Sequence, residues 1–356
     1  MNTTALNSDP HTEARTDRLS MKAIVRDQYG SAEGLQLREV PMPEMAEDEV
    51  RVRIHAAGLD RGVWHVMAGL PYLVRIVGYG LRRPKKLTLG LDFSGVVQRV
   101  GSKVSGLKPG DRVFGLCKGS FAEYAVARVE KIARMPANAS FEQAAAVPVS
   151  ALTALQALRD HGRLKAGQRV LIVGASGGVG TFAVQLAKAF GATVTGVCSG
   201  SKLEFVRSLG ADEVIDYTRT PITELKARFD LVLDIGGNRP VSQLRRVLTD
   251  HGTLVMVGGE DGDRWTGGLG RQLGAMLVSP FIRQRLVPMM ARENSQDLET
   301  LAGLIEAGAI APAVDRVCAL AEVPSAMRDL EQGRVRGKVV VTVFKPLGMP
   351  AASVSS

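Results

Sequence analysis

An apolar run that passes straight into clustered glycines, VLIVGASGGVG at residues 170–180, constrains this chain more than any other feature. An aliphatic strand has to end there, and a helix with small residues on its first turns opens next. Such a turn brings backbone close to a ligand, and the helix N-terminus offers free N–H groups and a favourable dipole to an anion. Glycine trios are common in tight turns. Here a strand precedes the trio, a helix follows and a further strand comes after, which is the setting that holds a dinucleotide pyrophosphate. Gly174, Ala175, Ser176, Gly177, Gly178, Val179 and Gly180 are therefore the expected cofactor cradle.

The surrounding sequence repeats the alternation. Strands are predicted at 168–173, 193–197, 214–216, 231–234 and 253–257, with helices at 179–190, 201–209 and 241–248. This order calls for a parallel, doubly wound sheet covered on both faces. The second strand runs out as GVCSGSK at 196–202, with no carboxylate before Glu204. An acid at that point would hold a ribose 2′-hydroxyl, whereas Ser199, Ser201 and Lys202 suit a 2′-phosphate. The cofactor expected is NADP(H), with a plain surface lysine as the alternative reading of Lys202.

Residues 21 to about 145 have a different texture. Short alternating runs at 49–54 and 93–100 are punctuated by Gly58, Gly90, Gly101 and Pro109-Gly110, a pattern that suits a partly open β-barrel. Ser140 then precedes an Ala-rich helical stretch, a helix is expected at 298–306, and a closing strand at 337–344. The 356 residues have room for about two domains. Residues 1–20 are polar and lack an apolar segment, so they read as a disordered extension rather than a secretory signal.

No apolar run approaches the roughly eighteen residues of a membrane span. Cys117, Cys198 and Cys318 are scattered and odd in number, so they suggest neither a disulfide framework nor a metal site, and point to a reducing, cytoplasmic setting. The net charge of +9 has no zinc finger, RNA-binding signature or basic helix beside it, so no nucleic-acid partner is expected.

The glycine loop, GADEVIDY at 210–217 and DIGG at 234–237 together resemble the medium-chain dehydrogenase/reductase superfamily. GDRVF at 110–114, GSFAEY at 119–124 and RGKVV at 336–340 extend the resemblance over nearly the whole chain from Met21 to Phe344. The chain is most similar to the zinc-independent quinone oxidoreductase (zeta-crystallin-like) branch. The resemblance implies an α/β fold of two parts: a GroES-like, partly open β-barrel catalytic domain and a Rossmann doubly wound parallel-sheet domain. The implied division is a GroES-like segment at 21–145, an NADP-binding segment at 146–292, and a return to the catalytic domain at 293–356. It also implies that Lys202 and Tyr217 hold the 2′-phosphate and that Thr153 lies near the nicotinamide. Gly236, Val257, Gly258 and Lys338, in or beside these motifs, complete the expected cofactor site.

Zinc-containing relatives carry a cysteine after the second barrel strand, a Gly-His-Glu motif and a further cysteine at the domain junction. In those regions this chain has Leu59-Asp60, Gly90-Leu91-Asp92 and Val147-Pro148-Val149, and the four-cysteine lobe is missing. Zinc requires several converging N or S ligands, so no metal is expected. On the substrate side the family's Asn-Pro-x-Asp-x-Tyr-like run becomes DRGVWH at 60–65, with Asp60 at the asparagine position and His65 at the tyrosine position. A long insert follows at 70–86.

Without a strong Lewis acid, hydride transfer is easiest to acceptors that delocalise the arriving charge. A small apolar quinone or α,β-unsaturated carbonyl compound is therefore the expected substrate, with Asp60, His65 and Tyr72 as the candidate polar groups. Each has a plainer reading: Asp60 as a helix cap or a partner of Arg61, His65 as a packed loop histidine, Tyr72 as core filler. Two other functions stay open, a zinc-free alcohol or aldehyde reductase and a non-catalytic NADPH-binding scaffold or membrane-associated protein. Segment 270–285 mixes arginines with bulky apolar residues and would suit peripheral membrane contact. Segments 70–86 and 262–290 are expected to form an apolar roof over the nicotinamide end, with Arg271 on its basic rim. Pro288, inside the last expected Rossmann strand at 284–290, argues for a monomer or for a homodimer not built by extending that strand.

Overall fold

The computed structural model describes residues 19–237, 239–258 and 264–344. Residues 1–18 of the expected N-terminal extension, and the first two residues of segment 262–290, lie outside the described residues.

Barrel strands Glu49–Leu59 and Asp92–Val100 pair antiparallel, and the first of them alternates buried and partly exposed residues until its buried end. Arg112–Leu116, Tyr124–Arg128 and Ile132–Arg134 extend the same sheet. The chain's final strand, Lys338–Thr342, returns to pair antiparallel with Glu49–Leu59, matching Val339 to Leu59 and Thr342 to Ala56. Val314–Ala319 lies on its outer side, giving a sheet of 7 strands. Val50, Val52, Ile54, Phe93 and Val339 fill the interior. At the end of Glu49–Leu59, Asp60 accepts a hydrogen bond from Val63 N–H and starts helix α1 (Arg61–Ala68), which Gly69 ends in the left-handed conformation.

The second sheet is the doubly wound one. Its strands are β1 (Arg169–Val173), β2 (Thr193–Cys198), β3 (Glu213–Asp216), β4 (Phe229–Asp234), β5 (Leu248–Met256) and β6 (Arg285–Pro288). All pairings are parallel and the spatial order is 3-2-1-4-5-6. Leu171, Ile172, Val232, Leu233, Leu254 and Val255 are fully buried, as a sheet covered on both faces requires. Burying each such side chain is worth about 1.5–3 kcal/mol. Helix α2 (Gly178–Ala189) follows β1 and packs Phe182, Ala183 and Leu186 inward. The chain is thus α/β, a GroES-like barrel joined to a Rossmann sheet.

Several predicted boundaries shift: the helix expected at 298–306 starts at Ser295, and the strand expected at 284–290 spans Arg285–Pro288. The helix expected at 241–248 stops at Arg245, because Leu248 already opens β5 and Phe229 N–H bonds to Val247 O. Ser140 and Gln143 form a reciprocal capping box at the start of Phe141–Ala145. Helix Ser295–Glu306 sits at the junction of the two sheets, burying Leu298, Leu301 and Ile305 in a core that contains both barrel and Rossmann residues.

Candidate active site

A cleft of about 400 Å³ runs between the sheets. At its centre Gly174 turns the chain out of β1 with a φ of 90°, a conformation that side chains resist. Gly177 caps α2 without a side-chain bond, which leaves the helix N-terminus open to the cleft. A Cβ placed on Gly177 would meet only Gly174 O, at 3.6 Å, so the backbone there is open to the cleft. This is a cradle that a pyrophosphate fits. Gly180 does a different task. A Cβ there would lie 2.1 Å from Gly174 O, so it lets helix and turn close on each other. Ala175 is fully buried beneath the loop.

Ser199, Lys202, Tyr217 and Arg239 line the same cleft where the chain leaves β2, β3 and β4. Lys202 Nζ donates to Gly333 O at 3.1 Å and Val335 O at 2.8 Å, tying the Rossmann side to the returning chain. Burial lowers its pKa. The Arg239 guanidinium lies 5.9 Å over the Tyr217 ring, and Tyr217 is 48% exposed. Arg239 is absent from the sequence-based site. Its position just after DIGG, at the C-terminal end of a parallel strand, is the signal that would have found it.

On the barrel side the cleft is lined by Asp60, Val149 and Lys338. Lys338 Nζ donates to Asp92 Oδ2 at 2.9 Å and lies 3.9 Å from Asp60 Oδ2. Asp92 Oδ1 accepts from Val149 N–H at 2.9 Å. Burial pushes the Asp92 carboxyl up; the Lys338 ammonium pulls it back, and the Asp60 charge adds to the rise. Asp60 caps α1 through Oδ1, while its buried Oδ2 has no hydrogen-bond partner among the described residues. The capping and the cleft-lining readings of Asp60 therefore hold together. The glycine loop is stitched to the same strand, because Gly337 N–H donates to Ser176 O at 2.8 Å.

The structure thus brings Asp60, Gly174, Ser176, Gly177, Gly178, Val179, Ser199, Lys202, Tyr217, Gly236 and Lys338 around one cleft. Among the described residues its lining does not include His65, Tyr72, Thr153, Ala175, Gly180, Ser201, Val257 or Gly258. His65 Nδ1 is held by Leu70 O at 2.8 Å. Thr153 Oγ1 donates back to Val149 O. Ser201 is exposed, and Gly258 allows a close approach to Ile235 O.

Tyr72 packs edge-on against Trp265, with ring centroids 5.1 Å apart. Tyr72 N–H and Leu73 N–H also bond to Arg264 O and Trp265 O. The two segments expected to form a roof therefore meet. Arg271 is not on a basic rim, because it forms an ion pair with the buried Asp234 carboxylate at the end of β4. Helix Leu269–Val278 carries it there, which leaves Met276 and Leu277 exposed on the outer face.

Leu91, just before the strand Asp92–Val100, is an apolar side chain partly buried against the barrel core. Among the described residues no three His, Cys, Asp or Glu side chains converge as metal ligands. Among the same residues no helix is long and apolar enough to cross a membrane.

Comparison with known proteins gives a consistent set of matches. Residues 46–137 match the alcohol dehydrogenase GroES-like domain, and residues 209–341 match a domain described as zinc-binding dehydrogenase. The chain is 35% identical to the mitochondrial NAD(P)H oxidoreductase RTN4IP1 of Bos taurus, over 91% of this chain and 89% of that one. It is 32% identical to a chloroplast envelope quinone oxidoreductase homolog of Arabidopsis thaliana, over 90% of this chain and 98% of the relative. The solved structure of Escherichia coli quinone oxidoreductase complexed with NADPH superposes with a TM-score of 0.77 at 27% identity, covering 90% of this chain and 99% of that one.

Proposed function

This chain belongs to the quinone oxidoreductase branch of the medium-chain dehydrogenase/reductase superfamily, and on that premise we propose that it transfers a hydride from NADPH to a quinone or an α,β-unsaturated carbonyl compound without zinc. It is an oxidoreductase enzyme with NADP(H) as its cofactor. The observation that carries the reading is the cleft itself. An open helix N-terminus, Lys202 and Arg239 are set to receive phosphate, and the position of a metal-ligating histidine holds the hydrocarbon side chain of Leu91.

When bound, NADPH supplies the hydride. The protein's share is positioning and exclusion of water. Gly177 and the first turn of α2 would hold the pyrophosphate, while Arg239 and Tyr217 would border the 2′-phosphate end. Lys202 is set beside them with two of its three N–H donors on carbonyls and one left for phosphate. Lys338, fixed by Asp92, closes the barrel side of the cleft. Asp60, which lines the cleft, is the candidate polar contact for the acceptor. The proton that completes reduction of the acceptor comes from water. The return of the final strand to Glu49–Leu59 supports reading the chain as segments 21–145, 146–292 and 293–356. The free Cys117, Cys198 and Cys318 support a reducing compartment, which we take to be the cytoplasm, although the relatives' names place them in mitochondria and chloroplasts.

The test is consumption of NADPH across matched quinones, enones and saturated aldehydes. Turnover of the conjugated acceptors alone supports the assignment. Turnover of saturated aldehydes alone, or of none, overturns it.

A further inference from the structure

A second cavity, of about 230 Å³, opens in the barrel domain beside the cofactor cleft. The two share a wall. Gly62 lines the cleft, Leu91 lines the cavity, and a Cβ on Gly62 would lie 3.3 Å from Leu91 Cδ1. Among the described residues the cavity's charged lining is Arg26, Lys85, Lys86 and Lys118, with no carboxylate. The lysines are exposed, whereas Arg26 is only 2% exposed.

Arg26 is held in place by its backbone, whose N–H donates to Leu87 O at 3.0 Å. Its guanidinium lies 5.5 Å over the Tyr29 ring, and its Nε and Nη1 have no hydrogen-bond partner among the described residues. Burial brings its pKa down to about 10, so it stays charged at neutral pH. A buried cation with idle donors is costly to maintain without a partner. Arg26, Lys85, Lys86 and Lys118 line one cavity that shares a wall with the cofactor cleft, and a bound anion would balance the buried Arg26 charge.

We propose that this cavity is an anion subsite for the electron acceptor, in which Arg26 binds a carboxylate, sulfonate or phosphate group carried by the quinone or enone. The conjugated part of that acceptor lies along Leu91 toward the cleft, and the exposed lysines draw the anion in. This inference rests on the reading of the cleft as the hydride-transfer site. It narrows the acceptor from apolar compounds in general to amphiphilic anionic ones.

The experiment compares menadione with a naphthoquinone sulfonate of the same ring system, for the wild type and for Arg26→Met. Comparing each acceptor with itself across variants cancels their different reduction potentials. Arg26→Met should raise the KM of the sulfonate about tenfold or more relative to that of menadione, the loss expected for a charge-assisted hydrogen bond. Lys118→Gln, at an exposed position that any folded chain tolerates, should raise the same ratio about twofold to threefold. Calorimetric titration of the NADPH-loaded protein with inorganic sulfate should show binding that Arg26→Met abolishes. An unchanged KM ratio in both variants overturns the subsite, as does sulfate binding that Arg26→Met leaves intact. Sulfate binding lost in Arg26→Met beside an unchanged ratio overturns the link to the acceptor and assigns the cavity to a free anion. If neither quinone is reduced, the hydride-transfer reading fails instead, and the sulfate titration still decides whether Arg26 binds an anion.

Discussion

Lys338 Nζ donates to Asp92 Oδ2 at 2.9 Å, and neither side chain reaches solvent, at 1% and 0% exposed. The pair joins the last strand of the chain to a central strand of the barrel and forms part of the wall facing the glycine loop. Removing one partner leaves the other buried and uncompensated. Lys338→Met should therefore destabilise the fold by about 3–5 kcal/mol. The pH dependence has a definite sign. Burial holds the folded carboxyl of Asp92 above its unfolded value, so the folded state binds that proton more tightly. The stability this supplies is present at low pH and is lost as pH rises from about 4, the unfolded value. Lys338→Met removes the charge that pulls the carboxyl down, so its melting temperature should fall more steeply with rising pH than that of the wild type. Thermal unfolding over acidic to neutral pH checks this, and Asp92→Asn in the Lys338→Met background should flatten the dependence.

Cofactor choice should depend on Arg239 more cleanly than on Lys202. Lys202 is committed to Gly333 O and Val335 O, so Lys202→Ala removes structural bonds together with any phosphate contact. Arg239 stacks on Tyr217 and lines the cleft. Arg239→Ala should weaken NADPH binding by about 1.5–3 kcal/mol, the range for a hydrogen bond to a charged group, while leaving NADH affinity unchanged. Calorimetric titration with both cofactors measures the difference, and equal losses for NADPH and NADH would refute it.

Legibility in the sequence follows the range of the interactions. The Rossmann strands and the glycine cradle could be read directly, because a buried parallel strand and a glycine turn leave local signatures at Val170–Gly180. The end of the helix at Arg245 could not, since Leu248 is drawn into β5 by pairing with Phe229 across the sheet. The site divides in the same way. Lys202 and Tyr217 follow their strands closely, whereas Asp92 becomes part of the site only when Lys338, 246 residues later, reaches it. His65 and Tyr72 look suitable by residue type, but Leu70 O and Trp265 claim them, and nothing local in the sequence announces those partners.

Two glycines of the cradle should respond in opposite ways to an added methyl group. Gly177 has a φ of −86° and open space above it, so Gly177→Ala should change the stability of the cofactor-free protein by less than about 0.5 kcal/mol. The same methyl group stands where the pyrophosphate goes, so NADPH affinity should fall. Gly180→Ala would drive its Cβ into Gly174 O and should lower the melting temperature even without cofactor. Calorimetry and thermal unfolding of the two variants separate cradle from packing.

Metal independence is a matter of ligand chemistry. With Leu91 at the histidine position and no cysteine at 59–60 or 147–149, a chelator should leave NADPH consumption intact, and elemental analysis should find no stoichiometric zinc. One tightly bound zinc per chain would refute this expectation.

The contact between the insert and the Rossmann side should be energetically coupled through Tyr72 and Trp265. Their rings meet edge to face at 70°, and two backbone hydrogen bonds run alongside. Pro71 fits against Gly267 so closely that a Cβ there would lie 2.5 Å from Pro71 Cγ. Trp265 is 72% exposed, so the pair belongs at the low end of the aromatic range, about 0.5 kcal/mol in a double-mutant cycle of Tyr72→Ala and Trp265→Ala. Phe281, on the same side of the chain but 87% exposed in a short turn, lacks any such partner ring among the described residues. Loosening the Tyr72–Trp265 contact frees the insert that carries Tyr79, Lys85 and Lys86 to the second cavity. Trp265→Ala should therefore raise the KM of bulky acceptors without changing NADPH affinity, while Phe281→Ser should change neither. A larger KM effect from Phe281→Ser than from Trp265→Ala would show that the outer face of Leu269–Val278 and its following turn, rather than the contact at Tyr72, governs access.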